Sequence, residues 1–232
     1  MRGFRVDRNQ YILNAITPGA RVLHVGCTCA PNTRLNWDKG YLLHPLLCRK
    51  AKTCGAHVVG LDIDEDSLNW LRDKMPDDEF FCGDAERLQN NQGADGSFDL
   101  IIAGDVIEHL ANPGMFLDSC RPLLKRNGRL LITTINSFGI GLFAKALLNH
   151  EAVHPEHTAY FSQKTLDRLC SMCGYKVLKR GYIKGATRPG FSLGALNIFC
   201  TNLLEQVATV IYPQFSSGIL VEAESGLQSK ND

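Results

Sequence analysis

Two hydrophobic rhythms alternate along the chain. Short runs of consecutive apolar residues, of strand length, are separated by stretches in which apolar positions recur every three or four residues, as on one face of a helix. Residues 9 to 17 carry the helical rhythm and end at Pro18-Gly19, which stops it. Arg21 to Val25 is the first predicted strand, followed by His57 to Ile63, Glu79 to Cys82, Phe98 to Ala103 and Gly128 to Ile135. Spacing predicts helices over Pro45 to Lys52, Ser67 to Lys74, Pro113 to Leu124 and Ser162 to Cys173. Tyr175 to Ile183 reads as a sixth strand, and Leu196, Phe199, Leu203, Val207 and Val210 keep helix spacing after it. Gly218 to Glu224 is expected as a final edge strand, with Ser225 to Asp232 frayed.

Strands that are apolar throughout are covered on both faces, and their alternation with helices builds a parallel sheet through right-handed crossovers. The expected fold is α/β: a doubly wound, seven-stranded, mostly parallel sheet with helices on both faces and the last strand antiparallel. A length of 232 residues suits one domain, here 20–232, preceded by an N-terminal helical cap over 1–19.

Composition narrows the class. Hydrophobic residues at 44% and charged residues at 21% describe a packed globule, and a net charge of +1 gives no overall field for a phosphate backbone or an anionic membrane. Nucleic acid is therefore not an expected partner, and Arg2, Arg5 and Arg8 read as a solvated arm. The apolar stretch Leu193 to Tyr212 is broken by Asn197, Thr201, Asn202, Glu205 and Gln206, too polar for a bilayer span. Nine cysteines, an odd number without a secretory leader, point to reduced thiols in the cytoplasm. Cys170 and Cys173 have half the spacing of a zinc site but no second pair, and are expected as buried helix residues.

Doubly wound sheets bind ligands at the carboxyl ends of their strands. Gly26 follows the first strand and lets backbone approach a ligand closely. Asp62 ends the second strand, where a carboxylate accepts hydrogen bonds from ribose hydroxyls, and Asp84 follows the third, where one accepts from an exocyclic amine. Together they describe a nucleoside pocket. A nicotinamide-dependent oxidoreductase is disfavoured, because the turn His24-Val25-Gly26-Cys27-Thr28-Cys29-Ala30 lacks the G-x-G-x-x-G fingerprint.

The segments VLHVGC, VVGLDID, CGDAERL, FDLIIAGDVIEHLANPGMFL and LKRNGRLLITTIN, in that order over roughly residues 20 to 183, resemble the successive motifs of class I S-adenosylmethionine-dependent methyltransferases. The resemblance implies S-adenosylmethionine as cofactor. It assigns Gly26 to the methionine part, Asp62 to the ribose, Asp84 and the Ala85 amide to adenine, and Ala103 and Gly104 to the methyl-donor site, with Cys27 and Ile63 as further cofactor-binding residues. The sequence departs from the family where His24 replaces an acidic residue and where Thr28 and Ala30 replace glycines. The segment from Ala30 to Ala56 is longer than usual. Its Trp37, Tyr41 and His44 either cover the site or pack the first helix on the sheet.

Asp105 to His109 is expected to begin the helix after the fourth strand, where Asp105, Glu108 and His109, at i, i+3 and i+4, share one face. His109 is the candidate general base, Glu108 its orienting partner and His157 the alternative base. Some methyltransferases acting on quinone precursors or RNA 3′ ends resemble this run, and bind a divalent metal through it and a later histidine. Here His150, His154 or His157 would serve, and the ligand set would be Asp105, Glu108, His109 and His157. The expected activity is methyl transfer to an oxygen, or a nitrogen, of a small-molecule or glycan acceptor, with Met1 to Pro18 and Ser137 to Tyr160 selecting it. Metal-assisted O-methylation and a cofactor-binding, catalytically silent partner subunit are the alternatives, and the sequence leaves the oligomeric state open, a homodimer being one option.

Overall fold

The computed structural model describes residues 4–90, 96–147, 149, 151, 153–184 and 207–226, without the side chains of 89 and 90. The strands are β1 (Phe4–Val6), β2 (Arg21–Val25), β3 (His57–Asp62), β4 (Glu79–Cys82), β5 (Phe98–Gly104), β6 (Leu124–Ile135), β7 (Tyr175–Ile183) and β8 (Gly218–Ser225). They form one sheet in the order β1-β7-β8-β6-β5-β2-β3-β4. Only β8 runs antiparallel, against β6 on one side and β7 on the other. The helices are α1 (Arg8–Ala15), α2 (Thr33–Asp38), α3 (Leu43–Cys54), α4 (Glu65–Lys74), α5 (Pro113–Cys120), α6 (Ile140–Leu147) and α7 (Gln163–Met172).

The doubly wound expectation is borne out and three details are corrected. The sheet has eight strands rather than seven, because Phe4–Val6 pairs with the end of β7, Val6 opposite Ile183. The last strand is antiparallel as expected, but it lies inside the sheet and is no edge. The helix expected over Pro113 to Leu124 ends at Cys120, where a 3₁₀ turn, Arg121–Leu123, carries Pro122, and Leu124 already opens β6. A proline has no N–H to continue an α-helical ladder, so the break falls there. Most of the helix expected from Leu196 to Val210 lies outside the described residues, which are helical at 207–211.

Alternation within each strand divides the core between the two faces. Leu23, Val25, Ile101, Ala103, Leu130 and Ile132 pack against Phe116 and Leu117 of α5 and Leu166 and Cys170 of α7. Val22, Leu100, Ile102 and Leu131 face the other way, against Ile12 of α1 and Leu47 and Ala51 of α3. Each fully buried large side chain contributes about 1.5–3 kcal/mol, so both layers are held chiefly by this burial. Cys170 and Cys173 are buried, as expected of apolar helix residues.

The parallel strands end together on one edge. Neighbouring β2 and β5 send their connections to opposite faces, toward α3 and α5, so the topological switch point lies between Val25 and Gly104.

Candidate functional site

Gly26 leaves β2 with φ +73°, and its N–H donates to Leu61 O at 2.8 Å. A Cβ there would lie 2.4 Å from Val106 Cγ2, so both the turn and its nearest neighbour require glycine. The next left-handed residue in the turn is Cys29, at φ +68°, while Thr28 and Ala30 keep ordinary backbone angles. That accounts for the missing glycines: the strained positions are 26 and 29. The Cys27 side chain is buried beneath Phe80, leaving its backbone at the turn.

Asp62 closes this turn. Its carboxylate accepts from Thr28 N at 2.9 Å through one oxygen and from Asp64 N at 3.1 Å through the other, and each oxygen keeps a further lone pair. Ile63 beside it is 71% exposed. After β4, Asp84 accepts from Glu86 N at 2.8 Å, and Ala85 is buried.

His24 is in the core. Its ring stacks on His44 at 5.3 Å between centroids, with Nδ1 to Nδ1 3.1 Å, and His44 Nε2 lies 3.5 Å from Cys48 Sγ. Burial pushes both imidazoles down, His44 to about 4, so both are neutral, one nitrogen donating and the other accepting. His44 thus packs α3 on the sheet. Trp37 meets Trp70 edge to face at 5.6 Å, and Tyr41 is exposed.

At the end of β5, Ala103 points into the core. Gly104 lies under Arg8, whose Nη2 a Cβ would meet at 2.5 Å. Asp105 has φ +57° and its N–H donates to Thr133 O at 2.8 Å. The expected helix from Asp105 is corrected by this geometry: a left-handed residue cannot start a right-handed helix. Only a 3₁₀ turn, Ile107–His109, precedes α5. The Asp105 carboxylate turns to Arg8 at 2.9 Å and to Thr133 Oγ1 at 3.2 Å, away from Glu108 and His109. Arg8, expected as part of a solvated arm, is a wall of the site instead. Its Nε donates to Thr133 Oγ1 at 3.0 Å, and no local pattern could announce a bond spanning 125 positions.

Glu108 is 1% exposed and accepts from Thr134 Oγ1 at 2.8 Å. Burial, and then the Asp105 charge, push its carboxyl up to about 7. Ligand atoms of Glu108, His109 and His157 lie within 4.8 Å of one another, and the two rings meet edge to face at 4.6 Å. His154 flanks them, 4.8 Å from His157 between centroids. Burial, helped by His109 and His154, pushes His157 down. His150 lies outside the described residues. α6 has no buried residue, and Phe138, Phe143, Leu147 and Val153 are exposed.

A family model described as a methyltransferase domain matches residues 6–180. The ubiquinone biosynthesis O-methyltransferase of Nitrobacter winogradskyi is 30% identical over 150 residues, 60% of this chain and 49% of that protein. Its counterpart in Xylella fastidiosa is 32% identical over 134 residues, 56% of this chain and 48% of that protein. The chain spans about half the length of the curated relatives it matches. Among solved structures, an S-adenosylmethionine-dependent methyltransferase from Archaeoglobus fulgidus has the same fold, at 18% identity and TM-score 0.62 over 94% of this chain and 91% of that one. Another from Mesorhizobium loti gives 16% and 0.60 over 92% and 94%. No helix among the described residues is long and apolar enough to cross a membrane. With the family model covering well over half its length, the chain belongs to the methyltransferase-domain family, within the class I S-adenosylmethionine-dependent methyltransferase superfamily.

Proposed function

We propose that this protein transfers a methyl group from S-adenosylmethionine to a hydroxyl of a small-molecule acceptor. The observation that carries this reading is that two acceptor carboxylates and an imidazole pair flank one topological switch point. The donor set fits the cofactor: Asp62 and Asp84 retain lone pairs at adjacent strand ends, and the exposed Ile63 offers an apolar surface for a base. In this reading Asp62 accepts from the ribose diol. Asp84 and the Ala85 amide hold the exocyclic edge of adenine, and the backbone of Gly26 and Cys27 faces the methionine part, with Ala103 and Gly104 forming the floor near the methyl group. The cofactor, when bound, supplies a methyl group already activated on a cationic sulfur. What remains for the chain is to align the acceptor and take its proton. His109, and His157 beside it, are the imidazoles placed past the end of β5 to take that proton. Oxygen as the acceptor atom is supported by the relatives named O-methyltransferases, and the exposed Phe138, Phe143, Leu147 and Val153 suit an acceptor with an apolar part. Calorimetric titration should give about one site per chain for S-adenosylhomocysteine and none for dinucleotides. No uptake of either the methyl donor or its product would remove the proposal, and binding without turnover on any hydroxylated acceptor would favour the silent-subunit alternative.

A second reading is favoured by the convergence of Glu108, His109 and His157. One carboxylate and two imidazoles fit a divalent cation, and with Asp105 turned to Arg8 the set is richer in nitrogen than the expected one, which favours zinc. A cation held there would polarise the acceptor oxygen. Protein purified without chelator should then carry about one such ion per chain, and full turnover in excess chelator would exclude it.

A further inference from the structure

The segment carrying His157 belongs to no helix or strand over 153–160, so no regular secondary structure fixes where that ring goes. The ring does not fix itself either: His157 Nδ1 is buried with no hydrogen-bond partner. Its neighbour does the fixing. Thr158 N donates to Glu108 O at 2.8 Å and Ala159 N to the same oxygen at 3.2 Å. The Thr158 hydroxyl lies 2.6 Å from Leu110 O and 3.0 Å from Glu108 O, and its single hydrogen bridges the segment to both ends of the turn that carries His109. Farther along, Ser137 N donates to Phe161 O at 2.9 Å, which anchors the exit of the segment to the end of β6.

We propose that Thr158 is a positioning residue: its hydroxyl straps the histidine segment to the Glu108–Leu110 turn and so sets the His157 ring against His109 for the methyl-transfer step. The proposal rests on the functional reading above for its effect on rate, but not for its effect on geometry. Thr158 is exposed, so its side chain contributes little to the core, and replacing the hydroxyl by a methyl group leaves both backbone bonds to Glu108 O in place. The strap is weakened, not removed. A base displaced by a fraction of an ångström loses alignment steeply, so a fall in turnover of about ten-fold is expected for Thr158→Val, against the roughly 10²–10⁴ of losing an acid–base group altogether.

The test compares Thr158→Val, Thr158→Ser, His157→Ala and the double variant Thr158→Val/His157→Ala. Proton NMR with labelled histidine should show the cross-relaxation between the His109 and His157 rings at equal strength in the wild type and in Thr158→Ser, and weakened in Thr158→Val. Turnover should fall in the Val variant, return in the Ser variant, and be no lower in the double variant than in His157→Ala. Affinity for S-adenosylhomocysteine and the thermal midpoint should not change. Ring cross-relaxation of unchanged strength in Thr158→Val overturns the proposal whatever the activity does, as does an equal loss of turnover in the Val and Ser variants. A weakened contact with unchanged turnover also overturns it, and if His157→Ala is then fully active the fault lies in the functional reading of His157.

Discussion

Arg8 and Asp105 form an ion pair at 2.9 Å over Gly104, so the first helix and the end of β5 make one wall of the site from residues 97 positions apart. Both partners are partly exposed, and such pairs contribute about 0–1 kcal/mol to stability. Gly104→Ala would push a methyl group to 2.5 Å from Arg8 Nη2, the far end of a flexible side chain, which swings aside. Destabilisation below about 1 kcal/mol is expected from loss of the pair. Gly26→Ala differs. It combines a left-handed residue with a clash against the branched Val106, and should cost about 2 kcal/mol or more, since the left-handed backbone alone costs 1–2. Urea denaturation of the two variants checks the ranking, and equal losses would contradict it.

Asp62 holds two backbone amides and, in the proposed function, the ribose as well. Asp62→Ala should weaken S-adenosylhomocysteine binding by about thirty-fold or more, the equivalent of about 2 kcal/mol for lost charge-assisted hydrogen bonds. Asp62→Asn keeps one acceptor oxygen and should fall between. Calorimetry on both variants reads this directly, and unchanged affinity in Asp62→Ala removes the ribose assignment.

These cases show what the chain's pattern could reveal. Val22 to Val25 and Leu100 to Ala103 are buried on both faces, so their strands are written as short uncharged runs, apolar but for His24, and the acidic residues at the ends of β3 and β4 stand where those runs stop. Phe4–Val6 was invisible for the opposite reason: a three-residue edge strand needs no such run, and arginines surround it. Hydrophobic rhythm carries no strand order, which is why β8 was expected at an edge. Asp105 looked helical because Ile107, Glu108 and His109 follow it. An aspartate tolerates the left-handed region without any mark in the sequence. Arg8 and Thr158 escaped because both act through long-range bonds, one to Thr133 and the other to Glu108 and Leu110.

Acid sensitivity follows from the buried His24–His44 pair. The folded protein holds His44 at about 4, whereas an unfolded imidazole titrates near 6.5, so between these values the unfolded chain takes up a proton that the folded one refuses. Stability from this group is complete above about pH 6.5 and falls as the pH drops toward 4, by about 2 kcal/mol at pH 5. Glu108 acts in the opposite sense. Its carboxyl, raised to about 7, binds a proton in the folded state before it does in the unfolded one, so its contribution grows as the pH falls from about 7 to 4.5. The wild-type profile therefore mixes the two, and the difference between wild type and His44→Gln isolates the histidine. Between pH 7 and pH 5 the variant should lose less stability than the wild type by about 2 kcal/mol. Parallel profiles would mean that His44 accepts a proton inside the fold.

His109 should govern the transfer step more than donor binding. Its ring lies past the end of β5, in contact with His157 and His154, whereas the acceptor carboxylates belong to the ends of β3 and β4. Its side chain is partly exposed and its backbone N–H donates to Val106 O, so replacing the imidazole disturbs neither core face. His109→Ala should lower turnover by roughly 10²–10⁴, the usual range for a lost acid–base group, while S-adenosylhomocysteine affinity changes only a few-fold. His109→Gln separates two roles within that loss. Glutamine can donate or accept a hydrogen bond in the same place but cannot take a proton near neutral pH. Turnover restored by Gln would mean that His109 aligns the acceptor and leaves its proton to another group, with His157 next in line. Turnover lost in both variants, together with disappearance of a bound divalent ion from each, would make His109 a metal ligand instead. Turnover lost in both, with no metal in the wild type and donor affinity intact, is the outcome expected of a general base.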